Sequence, residues 1–207
     1  MATAKQIGRP RSFREGEALQ AAMHVFWEKG YEGASLDDLT RAMKINRSSL
    51  YSTFGDKERL FQRVISTYAA GPLGFFSEAL KQPTARAVVE TLLRSSVKFL
   101  ADRSHPPGCL SLQGGLSSGE GAENATRAMV QWRRGALSAL QKRLQKAQKE
   151  GDLSKAVNAA DLARYVLIVI NGLGVQAVNG ASKSDMERAT ELALACMPLL
   201  ADSEAEV

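Results

Sequence analysis

Between residues 12 and 68 the chain carries four helix-start signals, each followed by apolar residues at helical spacing. Ser12-Phe-Arg-Glu15 is a capping box, in which serine hydroxyl and glutamate carboxylate satisfy each other's free N–H groups. Leu19, Ala22, Met23, Phe26 and Trp27 then lie on one stripe of a helix, and Gly30 supplies a left-handed stop. Ser35 and Asp38 open a second, short helix with Leu36, Leu39 and Met43 on one face. Asn46 caps a third, with Leu50 and Phe54 as core contacts, and Gly55 ends it. Asp56 caps a fourth that carries Leu60, Phe61, Val64, Ile65 and Tyr68. Short amphipathic helices of this kind bury their stripes only by packing on one another, which points to an all-α fold.

The second and third helices are nearly adjacent, with a turn of about three to four residues between them, as in a helix-turn-helix. The third exposes Arg47, Ser48, Ser49, Tyr51, Ser52 and Thr53, without an acid. An ordinary solvent-facing helix mixes Glu with Lys, whereas hydroxyls, Arg and Tyr suit phosphate oxygens and base edges. Lys and Arg number 27 against 22 Asp and Glu, a net charge of +5 that permits a polyanionic partner. Residues 1–14 hold Lys5, Arg9, Arg11 and Arg14 with no acid, and read either as a flexible arm for DNA or as a solubilising tail.

The remainder reads as a second helical unit. Residues 71–74 are a break; Pro83-Thr84 starts a helix carrying Val88, Val89, Leu92, Leu93, Phe99 and Leu100, and 103–108 ends it. Residues 109–116 form a short apolar segment and 117–121 a loop. A helix of about 28 residues follows. It places Met129, Trp132, Ala136, Leu140, Leu144 and Ala147 inside, and Arg133, Arg134, Lys142, Arg143, Lys146 and Lys149 on its other face. Segments 161–177 and 185–200 make a final helix pair. The apolar stretch 165–178 contains Asn171 and Gln176 and is too short to span a bilayer, and the start has no signal-peptide core, so a soluble cytoplasmic protein is expected. Two cysteines, Cys109 and Cys196, give neither a disulfide framework nor a metal spacing.

Two enzyme-like motifs do not survive inspection. Gly115-Leu-Ser117-Ser-Gly119 fits a nucleophile elbow, but His24 and His105 both precede the serine and no strand leads into it. Gly172-Leu-Gly174-Val-Gln-Ala177 fits a dinucleotide fingerprint, but no alternating strands accompany it, and close helix packing is the better account. No catalytic set, metal site or cofactor is expected.

Residues 21–61 resemble the DNA-binding domain of TetR/AcrR-type transcriptional regulators. The resemblance rests on Phe26-Trp-Glu-Lys-Gly30-Tyr31, on Ala34-Ser35-Leu-Asp-Asp-Leu39, and on Ser49-Leu-Tyr51-Ser-Thr-Phe54-Gly-Asp-Lys57-Glu-Arg-Leu60. The rest of the chain is similar to that family only in length, helix count and loop placement. The resemblance implies a nine-helix, two-domain homodimer: a flexible basic arm over 1–12, a helix-turn-helix domain over 13–56, and an effector-binding and dimerisation domain over 57–207. It implies that Arg47, Ser48 and Ser49 face base edges and that Tyr51, Lys57 and Ser35 grip phosphates, with Thr53 beside them and Arg9 and Arg11 reaching from the arm. The turn that often holds Gly in the family holds Lys44, so the turn differs or packing offsets a strain of ~1–2 kcal/mol.

The function so implied is that of a repressor released from a palindromic double-stranded DNA operator by a small-molecule effector. Its pocket is expected among Phe99, Cys109, Leu112, Gln113, Met129, Trp132, Val166 and Asn171, with Gln113 and Asn171 as buried amides. The dimer interface is expected at Val169, Leu173, Gly174, Leu192 and Cys196, the two glycines of the last-but-one helix marking close approach and Cys196 being buried and inert. Cys109 reads either as a small buried hydrophobe or as a thiol sensor of electrophiles or oxidants, because it follows Pro106-Pro107-Gly108 and begins a short helix. A helical enzyme and a purely architectural DNA-binding protein are the rival classes.

Overall fold

The computed structural model describes residues 13–113 and 123–197. Arg9 and Arg11 of the arm, Ser12 of the first capping box, the serine motif at 115–119 and the end of the last expected helix lie outside the described residues. The helices are α1 Glu15–Gly33, α2 Leu36–Met43, α3 Arg47–Phe54, α4 Lys57–Ala70, α5 Gly74–Ala79, α6 Ala85–Leu100, α7 Leu110–Gln113, α8 Glu123–Lys149, α9 Ala159–Val178 and α10 Lys183–Cys196. The described residues therefore hold ten helices where nine were expected, since 74–79 coils into α5 after the Gly71 break.

Local side-chain chemistry sets most boundaries. Asn46 Oδ1 accepts from the Ser49 N–H at 2.7 Å, Asp56 Oδ1 from Arg59 at 2.7 Å, and Thr84 Oγ1 from Ala87 at 3.1 Å. Ser35–Asp38 and Ser182–Asp185 form reciprocal capping boxes. At α1, Arg14 is the N-cap and makes no side-chain cap bond, and the Glu15 carboxylate pairs with Arg63 on α4, while the Ser12 half of the expected box lies outside the described residues. Gly30 breaks the helical path at φ 69°, and one further turn runs to Gly33.

Helices α1–α4 share one core. Phe26, Leu39, Leu50, Leu60, Phe61 and Val64 are fully buried in it. The expected boundary between 56 and 57 is not a break in packing, because the apolar side of α4 completes this N-terminal core. The same cluster extends to Leu73, Leu110, Ala125 and Met129, so α4 also seals against α7 and α8. Trp27 of α1 stacks on His105 (4.6 Å between centroids) and meets Tyr68 edge-on at 5.0 Å, while Phe99 stacks on His105 at 4.5 Å. Stacked and edge-on rings of this kind tie α1 and α4 to the end of α6.

The second core lies among α6, α8, α9 and α10, with Val88, Val89, Leu92, Leu93, Leu140, Leu144 and Val166 at its centre. Two arginines expected on the solvent face of α8 lie instead on its packed side. Arg143 donates to the backbone carbonyls of Leu80, Gln82 and Pro83, closing the α5–α6 turn, and Arg133 donates to the Ser111 carbonyl at 2.6 Å. A guanidinium offers five donors on a long stem, so it satisfies loop carbonyls that no backbone partner reaches.

Helix α9 also departs from expectation. It begins at Ala159, so its 20 residues, with a mean hydropathy of 1.3 over an 18-residue stretch, are long and apolar enough by length and composition to cross a membrane. Here it packs on α6, α8 and α10. Its Val166–Ile170 and Gly172–Ala177 segments, which raised the dinucleotide motif, are helical throughout.

Candidate nucleic-acid interface and inner cavity

The connection from α2 to α3 is tight because Lys44 adopts φ 53° and ψ 40°, as the sole non-glycine with positive φ among the described residues. Its N–H donates to the Arg41 carbonyl at 3.2 Å, and Ile45 N–H donates to Thr40 at 3.1 Å. The turn keeps the left-handed geometry that glycine usually takes, and these bonds offset a local strain of ~1–2 kcal/mol.

Leu50 and Phe54 anchor α3 in the core. The opposite face exposes Arg47, Ser48, Tyr51 and Ser52, while Ser49 and Thr53 are half-buried at its edges. Arg47 is not free: its Nη2 lies 2.8 Å from Asp37 Oδ1 on α2. Ser35 is occupied by its cap, since its hydroxyl accepts from the Asp38 N–H and donates to the Asp38 carboxylate at 2.7 Å. The hydroxyl that was expected to grip phosphate is thus also the cap of α2, and a phosphate there would meet it beside the Asp38 carboxylate. Hydrogen bonds from Lys29 and Ser35 hold the Asp38 carboxyl far below the usual range. Lys57 is half-buried, with Nζ 4.6 Å from the centroid of the Tyr31 ring, and desolvation lowers its pKa. Asp37 escaped the sequence reading because its partner is ten residues away and on another helix.

A cavity of about 80 Å³ lies between α5, α6, α7, α8 and α9. Its walls are Leu73, Phe75, Phe76, Ser96, Cys109, Ser111, Trp132, Arg133, Ala136, Leu167, Ile170 and Asn171. Of the expected pocket residues, Cys109, Trp132 and Asn171 line it, and Asn171 is exposed, at the rim, and not a buried amide. Met129 and Val166 are fully buried core, Phe99 belongs to the aromatic stack and Leu112 faces Gly174, so these four do not line this cavity. The Gln113 side chain lies outside the described residues. Ser111 and Arg133 escaped notice because they reach the cavity only once α7 docks on α8.

Cys109 is half-buried, with Sγ 3.2 Å from the Tyr68 hydroxyl and 2.9 Å from Ser111 Oγ. Burial raises the pKa of the Tyr68 phenol, with Cys109 adding to the shift, so the hydroxyl stays protonated. The sulfur thus contacts α4 directly, the helix that also completes the N-terminal core.

Two outward helical faces carry uncovered apolar side chains: Tyr165, Ile168, Val175 and Val178 on α9, and Leu192 on α10, each between 42% and 67% exposed. Val169 is half-buried, and Leu173 is buried inside the chain. Gly174 also points inward, because an added Cβ would come 2.8 Å from Leu112 Cδ1, whereas Gly172 opens outward with nothing within 4 Å. Leu173 and Gly174 are therefore corrected from dimer surface to internal packing. Cys196, expected buried, is exposed.

Residues 18–64 match the family model described as bacterial regulatory proteins, tetR family. Residues 85–193, more than half of the chain, match the tetracyclin repressor-like C-terminal domain. The chain belongs to the TetR family of transcriptional regulators. Like its family, this TetR regulator is a DNA-binding protein and not an enzyme. It is similar to the transcriptional repressor ComR of Escherichia coli (strain K12), with 26% identity over 183 residues and 86% of each protein covered. It is also similar to the repressor BdcR of the same strain, with 33% identity over 119 residues, 55% of this chain and 60% of that protein. Among solved structures it is similar to a cysteine-substituted CifR bound to a 26-base-pair operator duplex, with 35% identity, TM-score 0.89, and coverage of 92% of this chain and 100% of that one.

Proposed function

We propose that this TetR regulator is a cytoplasmic homodimeric repressor that leaves a palindromic operator when a small effector enters the α5–α9 cavity. The acid-free outer face of α3 carries this reading, with Arg47, Ser48 and Tyr51 presented to solvent above a buried Leu50–Phe54 anchor. Two such helices read a palindrome when they lie one DNA turn apart, ~34–36 Å. An effector that fits only the wrong spacing draws the population away from DNA, in proportion to its preference for that state. Arg47 carries base discrimination with Ser48 and Ser49 beside it at the base edges, and Tyr51 and Lys57 position the helix on the backbone. The test is duplex selection from a random pool, followed by affinity measurements on the selected and scrambled sequences. Arg47→Ala is expected to weaken the selected duplex by roughly 10–100-fold and the scrambled one far less. Equal loss on both would overturn the base-reading role.

The Tyr68–Cys109–Ser111 contact favours a second reading, in which the effector is an electrophile that reacts with Cys109. Addition across an activated C=C bond, as in a maleimide, forms an S–C bond, breaks the C=C π bond and places the thiol proton on the neighbouring carbon. The enlarged sulfur then cannot keep the 3.2 Å Tyr68 contact, which pushes on α4. Because Cys196 is exposed, the experiment starts from Cys196→Ser. Treatment with N-ethylmaleimide should release DNA from that variant and leave the additional Cys109→Ser variant bound. Full labelling of Cys109 by mass spectrometry with DNA affinity unchanged would leave only a non-covalent effector.

A further inference from the structure

We infer that Asp37, on the first turn of α2, sets the sequence discrimination of α3 by holding Arg47. Arg47 Nη2 and Asp37 Oδ1 are 2.8 Å apart, and both side chains face solvent on the helix-turn-helix surface, 59% and 66% exposed. The neighbouring Asp38 is turned away to Lys29 and Ser35, so Asp37 is the carboxylate that meets this guanidinium. Hydrogen bonding to Asp37 raises the Arg47 pKa, as expected for a charge-assisted pair. No other side-chain hydrogen bond of Arg47 occurs among the described residues, which leaves the remaining guanidinium N–H groups open to an acceptor on the DNA.

In water such an exposed pair contributes little to stability. Its consequence appears at the DNA surface, where water is excluded and the direction of the guanidinium matters. A free arginine samples many rotamers and settles on the nearest phosphate, because phosphate charge dominates sequence-independent binding. Asp37 removes both tendencies. It fixes one edge of the fork, and its negative charge repels a phosphate that approaches that edge. The uncharged acceptors of a base edge, such as guanine O6 and N7, meet no such repulsion. Asp37 is thus a positioning residue: it trades sequence-independent affinity for selectivity.

This inference rests on the base-reading role of Arg47, and a double-mutant cycle separates the two. Affinities for the selected and scrambled duplexes are measured across a salt series for wild type, Asp37→Asn, Arg47→Ala and the double variant. Asp37→Asn should tighten scrambled DNA, steepen its salt slope by about one ion, and lower discrimination about tenfold. Asp37→Glu keeps the charge on the first turn and should recover most of the discrimination, which a change in α2 stability alone would not produce. In the Arg47→Ala background Asp37→Asn should have no further effect on discrimination. If Arg47→Ala collapses discrimination while Asp37→Asn leaves it intact, or acts equally in both backgrounds, the positioning role is overturned and base reading by Arg47 stands. If Arg47→Ala leaves discrimination intact, both fall.

Discussion

Phe61→Ala should lower the unfolding free energy by about 3–5 kcal/mol and the thermal midpoint by roughly 10 °C. Phe61 has no exposed surface and meets Phe26 at 5.0 Å and Tyr31 at 5.1 Å, both edge-on. Its removal leaves a void between α1 and α4 that two rigid rings cannot fill. Each lost edge-on contact adds about 0.5–1.5 kcal/mol to the transfer cost. Since folded domains are stable by only about 5–15 kcal/mol, the variant should populate unfolded chains measurably at growth temperature. Tyr31 also supports Lys57, so the loosened ring should free that ammonium and raise its pKa toward the ordinary lysine value. Urea unfolding followed by circular dichroism measures the first effect. A loss below about 1 kcal/mol would contradict the central place of Phe61 in the core.

If the proposed homodimer closes through the outer face of α9, Ile168→Asp should give a folded monomer that has lost at least 100-fold in operator affinity. Ile168 is 58% exposed in the single chain and belongs to neither buried core, so an aspartate there disturbs little internal packing. In a two-fold dimer the same face meets itself, and a substitution on it enters twice. Each new carboxylate would be desolvated in an apolar seam, opposite its own copy. A monomer then holds one half-site and loses the effective-concentration gain of roughly 10²–10⁴ that two linked heads provide. Light scattering and ellipticity separate dissociation from unfolding. Gly172→Leu, on the same outward stripe, should also dissociate the dimer. Gly174→Leu should instead disturb α7, because its new side chain points at Leu112. An Ile168→Asp protein that remains dimeric at micromolar concentration would place the interface elsewhere.

The caps at Ser35, Asn46, Asp56 and Thr84 and the stop at Gly30 were legible because each depends on groups within a few residues. A side-chain oxygen and an N–H three positions on meet whatever the rest of the chain does. The buried stripes of α1 and α4 were legible for a similar reason, since helical period alone decides which side chains share a face. The Glu15–Arg63 pair was not legible, because its cation lies on α4 and no local rule announces it.

Sequence alone therefore determined the short capped helices, the acid-free outer face of α3 and the family to which the chain is similar. Tertiary structure alone decided how each helix is rotated about its axis and which neighbour it meets. That rotation sends Gly174 inward and Gly172 outward, although both fit a close-packing pattern equally well. It also takes Arg133 and Arg143 from the expected solvent face of α8 to loop carbonyls 22 and about 60 residues away in sequence. Asp37 reaches Arg47, Lys57 rests over Tyr31, and Cys109 touches Tyr68 for the same reason. Helical period fixes the spacing of side chains around one axis, but the packing of the described helices on one another fixes the direction in which that axis is turned.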